Sequence, residues 1–497
     1  DDADLQADIV EDPDEYKRKN VYVIPEEARW SYIVAHAQDD DIKVKLDRAM
    51  EALEEAYPDL RGVLPKIYAG SNLDRDNVAS LINLFARDTF AAEDGRESDV
   101  LGRVYEYFIS HFANTEGNRG GEFFTPRSIV RLLVEMLEPE EGVVFDPSCG
   151  SGGMFVQSAR FTEKGKALSF YGQERVDTTL RLGKMNLLMH GLNGDIRLGN
   201  SFHDDKHPGL KADVVIANPP FNLKEWRGPD ELTNDPRWAG YETPPTGNAN
   251  YGWILHMISK LSDNGVAGFV LANGSMSTNT KGEGEIRRQI IENDLVDCMI
   301  ALPGQLFYTT QIPVCLWFLT KNKKGTATAK DGGSAENAGA IFGPQQHRNR
   351  QGETLFIDAR NMGSMISRIH KELTADDIAE IAQTYHLWRG EPVTESPAYA
   401  TAKDGGSADN AGAIIGQSGE YKDVAGFCRS TSLDDIKAND YVLTPGRYVG
   451  AAEIEDDGEL FEEKMQELTQ TLFQQMAEAQ ELDAVIKQNL KGLGYGE

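Results

Sequence analysis

The sequence predicts an α/β fold: a doubly wound, Rossmann-like sheet with an antiparallel edge strand, preceded by a helical domain and followed by a long C-terminal helix. Three observations carry this. From about Asn118 to Lys321, short β-rich runs alternate with helical stretches, the pattern of a sheet covered on both faces. One run, Val143–Phe145, ends in Asp146 and opens into the glycine-rich turn PSCGSGG; another, DVVIA, ends in Asn-Pro-Pro-Phe. In such sheets ligands bind outside the carboxyl ends of the strands, which is where these residues fall.

Residues 1–118 carry apolar stripes at helical spacing. Val44, Leu46, Ala49, Met50 and Leu53 form one, Val78, Leu81, Ile82 and Phe85 a second, and Leu101, Val104, Tyr105 and Phe108 a third. They describe a small bundle, whose Asp/Glu-rich opening reads as a cut end rather than a natural start. Strands follow at Val143–Phe145, Ser169–Gln173, Ile196–Leu198, Val214–Ala217, Ala267–Leu271, Val296–Ala301 and Val314–Leu319, with helices at Pro126–Leu137 and Gly252–Leu261. No long helix separates the last two strands, which predicts an antiparallel pair at the sheet edge. Beyond Lys321, TAKDGGSAENAGAI at 328–341 returns as TAKDGGSADNAGAI at 401–414. A segment of that composition cannot bury a core and is expected as surface loop. A strand, Leu355–Arg360, and a helix, Ala375–Leu387, lie between the copies. In the acidic tail, Met465, Leu472, Ala479, Ile486 and Leu493 recur at heptad spacing beside a second row, Phe461, Leu468, Gln475, Leu482 and Asn489. That is the seam of a helix that takes a partner helix, or packs back on its own protein. The expected domains are a helical 1–118, a sheet-bearing 119–452 with insertions near 323–350 and 400–418, and a helical, partner-docking 453–497.

Length and composition bound the function. At about 150 residues per domain, 497 residues make roughly three. With 40% hydrophobic and 26% charged residues the chain is not largely disordered. The longest uncharged stretch, Cys298–Thr320, is broken by Pro303, Gly304, Gln311 and Pro313, so none matches the ~18–20 apolar residues of a membrane span. No secretory signal opens the chain. Cys149, Cys298, Cys315 and Cys428 lie far apart, which argues against a disulfide scaffold and a cysteine zinc site. A soluble protein of a reducing, cytoplasmic compartment is expected. Lys and Arg number 50 against 80 Asp and Glu, a net charge of −30. Such a surface repels phosphate backbones, so work on nucleic acid needs a local basic channel or a partner chain.

The motifs sharpen this. The turn after Asp146 has Gly150, Gly152 and Gly153, with Phe155 where GxGxxG needs its third glycine, and no GxxxxGK[ST] occurs. It suits a nucleotide-like ligand without a pyrophosphate, or is merely a turn. SFYGQE places Glu174 at the end of the second strand, where a carboxylate can clamp ribose hydroxyls. DVVIANPPF, Asp213–Phe221, is the most specific element. Its prolines fix the backbone and remove donors. The Asn218 amide and the Pro219 carbonyl can then accept both hydrogens of an exocyclic amine, Pro220 holding the turn and Phe221 stacking on the heterocycle. Lys224, Arg227 and Arg237, with Trp226 and Trp238, either grip a flipped base and its phosphates or pack an ordinary loop. His203, Asp204, Asp205 and His207 read as a solvated loop rather than a metal site, and Cys149 as a packing residue.

These residues resemble the amino-methylating DNA methyltransferases, and more narrowly the modification subunits of type I restriction–modification systems, from about Arg103 to Gly450. The narrower likeness rests on GEFFTPRSIVRLLVEML (Gly121–Leu137), DPSCGSGGMF, LPGQLFYTTQIPVCLWFL (Leu302–Leu319), LFIDAR and YVLTPGRYVG (Tyr441–Gly450). The resemblance implies S-adenosylmethionine as cofactor and no metal. It implies cofactor contacts from Glu122, Phe123, Phe124, Thr125, Pro126 and Arg127, from the turn residues Ser148, Cys149, Gly150, Ser151 and Gly153, and from Glu174. Asp146 falls near the methionine amino group and Asn218 is the catalytic amide. Many relatives have Asp where this chain has Asn200, which could still bond the adenine of the cofactor. The implied activity is methylation of adenine N6 in double-stranded DNA, on a base flipped from the duplex. No target-recognition, helicase or nuclease motif stands out. The implied partners are therefore a specificity subunit, flanked by two copies of this chain, and a restriction subunit. Two rivals remain: a protein-glutamine methyltransferase, and a non-enzymatic assembly subunit that keeps the fold.

Overall fold

The computed structural model describes residues 23–87, 104–105, 107–108, 125–161, 168–307, 311–325, 347–391 and 420–451, together with Thr469 and Phe473. Glu122, Phe123 and Phe124, both copies of the repeat and the heptad seam lie outside the described residues. The chain divides into two units, 1–450 and 451–497.

In the first unit, helices α1 (Trp30–Ala35), α2 (Ile42–Ala56) and α3 (Arg75–Arg87) enclose a small core of Ile33, Ala37, Ile42, Ala49, Val78 and Ile82, with Leu46 packed against it. The inward stripe of α2 is thus Ile42, Leu46 and Ala49. Val44 and Leu81, counted among the apolar stripes from spacing alone, are exposed. Each lies about a third of a turn or more off the inward row of its helix.

The sheet has nine strands in the order β11-β8-β6-β7-β5-β4-β1-β2-β3. They are β1 (Gly142–Asp146), β2 (Leu168–Glu174), β3 (Gly194–Leu198), β4 (Ala212–Ala217), β5 (Leu261–Ala272), β6 (Val296–Ala301), β7 (Val314–Thr320), β8 (Glu353–Asp358) and β11 (Cys428–Ser432). Two short strands, β9 (Ser364–Met365) and β10 (Lys371–Glu372), pair as a separate hairpin. Strands β3, β2, β1, β4 and β5 run parallel; β7 is antiparallel to both β5 and β6. The β6–β7 pair is antiparallel as the sequence predicts, but it is not at the edge. Strand β8 adds parallel to β6, and β11 closes that side antiparallel to β8. The connections to these added strands pass through the insertion-bearing part of the chain, whose apolar runs are too short to announce a long-range partner.

Burial alternates along the central strands. Val144, Val214 and Ile216 join one core with α4 (Arg127–Leu137), α5 (Gly153–Phe161), α6 (Asp177–Met189) and α9 (Ala375–Arg389). Phe145, Val215 and Ala217 join the other, with α7 (Asn250–Lys260), α8 (Glu283–Glu292) and α10 (Leu433–Ala438). Because both faces are covered, β4 and β6 are buried at every residue and are apolar except for Asp213 and Asp297. Among the described residues no helix is long and apolar enough to cross a membrane.

The first insertion is closed at its base. Gly325, at φ +77°, lies against the His347 carbonyl so tightly that a Cβ would collide with it. The Arg350 N–H donates to the Lys323 carbonyl at 2.8 Å. His347 Nδ1 reaches Glu391 Oε1 at 2.8 Å, and Arg389 Nε reaches the same oxygen at 2.9 Å. The return of the first insertion therefore meets the departure of the second. Beneath them, Arg350 pairs with the buried Asp297 at 3.2 Å, the Tyr385 hydroxyl donates to Asp297 at 2.7 Å, and Lys323 Nζ donates to Asp294 and to two carbonyls. Burial would raise the Asp297 carboxyl, but Arg350, then Lys323 and Arg389, hold it below its ordinary range. Removing one partner of such a pair strands the other charge in the core. Arg350→Ala is therefore expected to cost about 3–5 kcal/mol in denaturant-induced unfolding. A loss below about 1 kcal/mol would mean that the cluster relaxes around the missing cation.

Candidate functional site

Strands β1 and β4 are neighbours, yet the chain leaves β1 for β2 and β3 on one side and continues from β4 to β5 on the other. Their carboxyl ends therefore diverge into a crevice at the topological switch point. A cavity of about 420 Å³ opens there, within the size range of small-ligand sites. Asp146, Ser148, Cys149, Gly150, Ser151, Gly153, Glu174, Asn200, Thr125, Asn218 and Pro220 all line it. Most of the sequence-predicted residues thus converge, but Pro126 and Arg127 do not line the cavity, and Arg127 lines a separate depression with Arg131 and Arg160. Pro219 is buried and Phe221 half-buried, and neither forms part of the wall. The Phe221 ring meets Phe307 edge-on, centroids 6.3 Å apart. Sequence reasoning singled out Trp226 but missed the rest of the apolar wall: Val130, Met154, Phe202 and Trp253. Phe202 stands 4.3 Å from Trp226 and 4.2 Å from Trp253 between centroids. Each of these sits on a helix or loop whose spacing also fits plain core packing.

The glycine turn is stitched to β2. Gly150 and Gly152 have φ of +53° and +74°, a conformation that suits glycine. The Gly150 N–H donates to Glu174 Oε2 at 3.1 Å, and the Cys149 N–H to the Gln173 carbonyl at 3.1 Å. Asn186 on α6 donates to the Ser151 carbonyl at 2.9 Å. Helix α6 comes this close because residue 183 is glycine; a Cβ there would lie 2.8 Å from the Gly150 carbonyl oxygen. Burial raises the Glu174 carboxyl above its ordinary range, opposed by the Val176 and Gly150 amides it accepts. Asp146 is 2% exposed and accepts the Ser148 N–H at 2.9 Å. Burial pushes its pKa up to about 8, and the Glu174 charge adds to the rise. Burial also pushes the Cys149 thiol well up, away from nucleophile chemistry. The Ser148 hydroxyl is buried without a partner.

At the far wall, Asn218 Nδ2 donates to Thr125 Oγ1 at 3.0 Å, while Asn218 Oδ1 is buried with no partner. The loop that follows is pinned: the Asn222 N–H donates to Asn250 Oδ1 at 2.8 Å, and Asn250 Nδ2 returns a bond to Asn222 Oδ1 at 3.0 Å. Asn200 Oδ1 accepts the Phe202 N–H. Two of the cations after Asn-Pro-Pro-Phe are not available to a ligand. Arg227 is buried and gives its guanidinium to the carbonyls of Pro244, Gly228, Pro229 and Glu231. Arg237 pairs with Asp235 at 2.7 Å and bonds the Ser201 carbonyl. Trp226 and Trp238 are buried beside them, so these four residues hold the loop, while Lys224 alone of the group is exposed on the cavity. His203, Asp204, Asp205 and His207 go to Glu231, Lys206, Lys260 and the Gly172 carbonyl, four separate partners.

A ligand in this crevice meets two buried carboxyls, a bare glycine backbone and an aromatic wall. Among the described residues no phosphate cradle is offered. The arrangement fits a cofactor held by an ammonium, hydroxyls and a flat base, beside an amide that waits for hydrogen-bond donors. It defines the class of S-adenosylmethionine-dependent amino methyltransferases. The sequence pattern of the N-6 DNA methylases matches residues 96–457, and that of the HsdM N-terminal domain residues 3–85. The chain is 47% identical to the type I restriction enzyme HindI methylase subunit of Haemophilus influenzae, over 90% of this chain and 92% of that one. It is 40% identical to the MjaIX methylase subunit of Methanocaldococcus jannaschii, over 99% of this chain and 81% of the relative. Its fold matches the type I restriction–modification methyltransferase subunit from Streptococcus thermophilus with a TM-score of 0.68 at 23% identity, covering 90% of this chain and 84% of the other. The chain belongs to the N-6 DNA methylase family, among the methylase subunits of type I restriction enzymes. Its methyl donor is S-adenosylmethionine and its acceptor the N6 amine of adenine in DNA, which sets aside the protein-glutamine and non-enzymatic readings.

Asp146 gives a test that joins stability to binding. In the unfolded chain its carboxyl loses its proton near 3.8, in the folded cofactor-free protein only near 8. The folded state holds a proton that the unfolded state releases, so this residue's contribution to stability falls as pH rises from 3.8 to about 8. Asp146→Asn removes that liability and keeps an oxygen for Ser148. The variant's gain in Tm over wild type is expected to be larger at about pH 8 than at about pH 5, while its affinity for S-adenosylmethionine drops about tenfold or more. Calorimetry in the two buffers checks both, and a gain independent of pH would remove the buried proton from the account.

Proposed function

We propose that Asn218 receives the adenine N6 amine, and that this chain acts as the modification subunit of a complex in which another chain reads the DNA. The observation that carries the first part is the Asn218 side chain on the cavity wall, whose buried Oδ1 has no partner within the described residues. A buried acceptor left open at a measurable cost calls for a donor from outside the protein. The target adenine leaves the duplex, because its amine cannot reach the cavity from inside the stack. Asn218 Oδ1 and the Pro219 carbonyl take its two hydrogens and turn the nitrogen lone pair into the crevice. When bound, the cofactor supplies an electrophilic methyl on a sulfonium. Asn218 and the Pro219 carbonyl would hold that nitrogen in line with the methyl group the cofactor supplies, and the proton shed by the methylated amine would pass to solvent. Asp146 holds the cofactor ammonium and Glu174 the ribose hydroxyls, with the Glu122–Arg127 segment, Ser148–Gly150 and Asn200 along its length. Much of the rate comes from this alignment. Phe221 braces the turn through Phe307 and is positioned to meet the heterocycle only if its ring swings from that contact.

Net charge and heptads together support the partner reading. A surface at −30 binds duplex DNA weakly alone, since nonspecific affinity comes mainly from neutralised phosphates. The tail from Phe461 to Leu493 offers a seam for a long helix of a specificity subunit, with Gln475 and Asn489 setting register and two copies of this chain flanking one such subunit. A restriction subunit completes the full complex.

Asn218→Ala is expected to abolish methyl transfer by the assembled complex while cofactor affinity stays within about threefold, checked with labelled cofactor and calorimetry. Near wild-type methylation in that variant sinks the catalytic reading. Deleting residues 453–497 is expected to leave a folded, cofactor-binding protein that no longer assembles. Size-exclusion chromatography with the specificity subunit decides, and a complex that still forms assigns the tail to its own core.

A further inference from the structure

We infer that Thr125 is the positioning residue of the catalytic amide: its hydroxyl oxygen holds Asn218 Nδ2 at 3.0 Å and so leaves Oδ1 as the end that faces the target amine. This rests on the reading of Asn218 given above.

A primary amide has two ends of nearly equal shape and opposite hydrogen-bonding sense. The target amine brings two donors, so only the carbonyl end serves it; the NH2 end would set donor against donor. Nothing on β4 makes that choice. Asn218 stands one residue past Ala217, the last of the strand, and its Oδ1 finds no partner in the protein. The anchor for Nδ2 comes from a residue 93 positions away in sequence, and the donors of the incoming amine keep the amide in that sense. Thr125 is well built for it. It precedes Pro126, which restricts Thr125 to extended backbone and opens α4 with φ −53°. Helix α4 is anchored by Ile129, Leu132, Leu133 and Met136, all fully buried, so the hydroxyl is presented from a rigid element. With the hydroxyl accepting from Asn218, its single hydrogen is left for the cavity that Thr125 also lines. The turned amide, with Oδ1 on the hydroxyl, would aim both NH2 hydrogens at the incoming amine, and target binding selects against it. Valine in this place keeps the shape and loses the hydroxyl, so the amide loses its anchor.

The test compares Thr125→Val, Thr125→Ser and Asn218→Ala in the assembled complex with DNA. The readouts are kcat, KM for DNA, and cofactor affinity by calorimetry. Thr125→Val is expected to lower kcat ~10- to 100-fold, the scale of a misplaced reacting group and well beyond any loss of cofactor affinity, with KM for DNA within about threefold. Thr125→Ser, which restores the hydroxyl, is expected to return kcat to within about threefold of wild type. Wild-type kcat in Thr125→Val overturns the inference. So does a rate loss matched by an equal loss of cofactor affinity, which would make Thr125 a cofactor contact only. A Ser variant as slow as the Val variant also overturns it, since the methyl and not the hydroxyl would then matter. An active Asn218→Ala sinks the underlying reading, whereas an inactive Asn218→Ala beside a fully active Thr125→Val sinks this inference alone.

Discussion

Glu174 accepts the Gly150 N–H with one carboxylate oxygen and the Val176 N–H with the other, and through those two bonds the end of β2 is tied both to the glycine turn and to the start of α6. The cofactor crevice depends on this. The turn has two residues at positive φ and little side-chain mass of its own, so its position must be set from outside. Glu174 sets it from one side, Asn186 and the missing side chain of Gly183 from another. Each carboxylate oxygen keeps a lone pair, so the group that fixes the crevice can still take hydrogen bonds from what fills it.

The electrostatics of the site set stability against function. Two carboxyls close together and out of water are costly to ionise, and the protein keeps both at the point where a cationic ligand would neutralise them. Several buried charges elsewhere in the same domain are matched directly: Asp297 has Arg350, Glu391 has Arg389 and His347, Lys260 has Asp205. The contrast separates a charge that builds the fold from one that waits for a partner, and the unpaired Asn218 Oδ1 belongs with the second kind.

Much of this was legible in the sequence because it depends on local pattern. The strand at Val296–Ala301 is read to the residue, and the convergence of Asp146, Glu174 and Asn218 follows from strand ends alone once the sheet is doubly wound. What was not legible depends on distant partners. The β6–β7 pair looks like an edge until β8 and β11 are known to join beyond it. Arg227 and Arg237 look like ligand-gripping cations until the carbonyls that consume them are found across the loop. Val44 falls in an apolar row by spacing, and only the neighbouring helices show which face is inward. The link between Thr125 and Asn218 joins two motifs that each made sense separately, and no spacing rule connects them.

The closed base of the first insertion has a consequence for how this chain can vary. Gly325 and His347 already touch, and Arg350 is bonded to Lys323, so the sheet sees only a closed neck. Doubling a loop whose ends are pinned costs only about 0.6 kcal/mol in closure entropy. Residues added between Gly325 and His347 are therefore felt little by the core. The neck is by the same logic a place to graft a reporter or an affinity handle without touching the crevice.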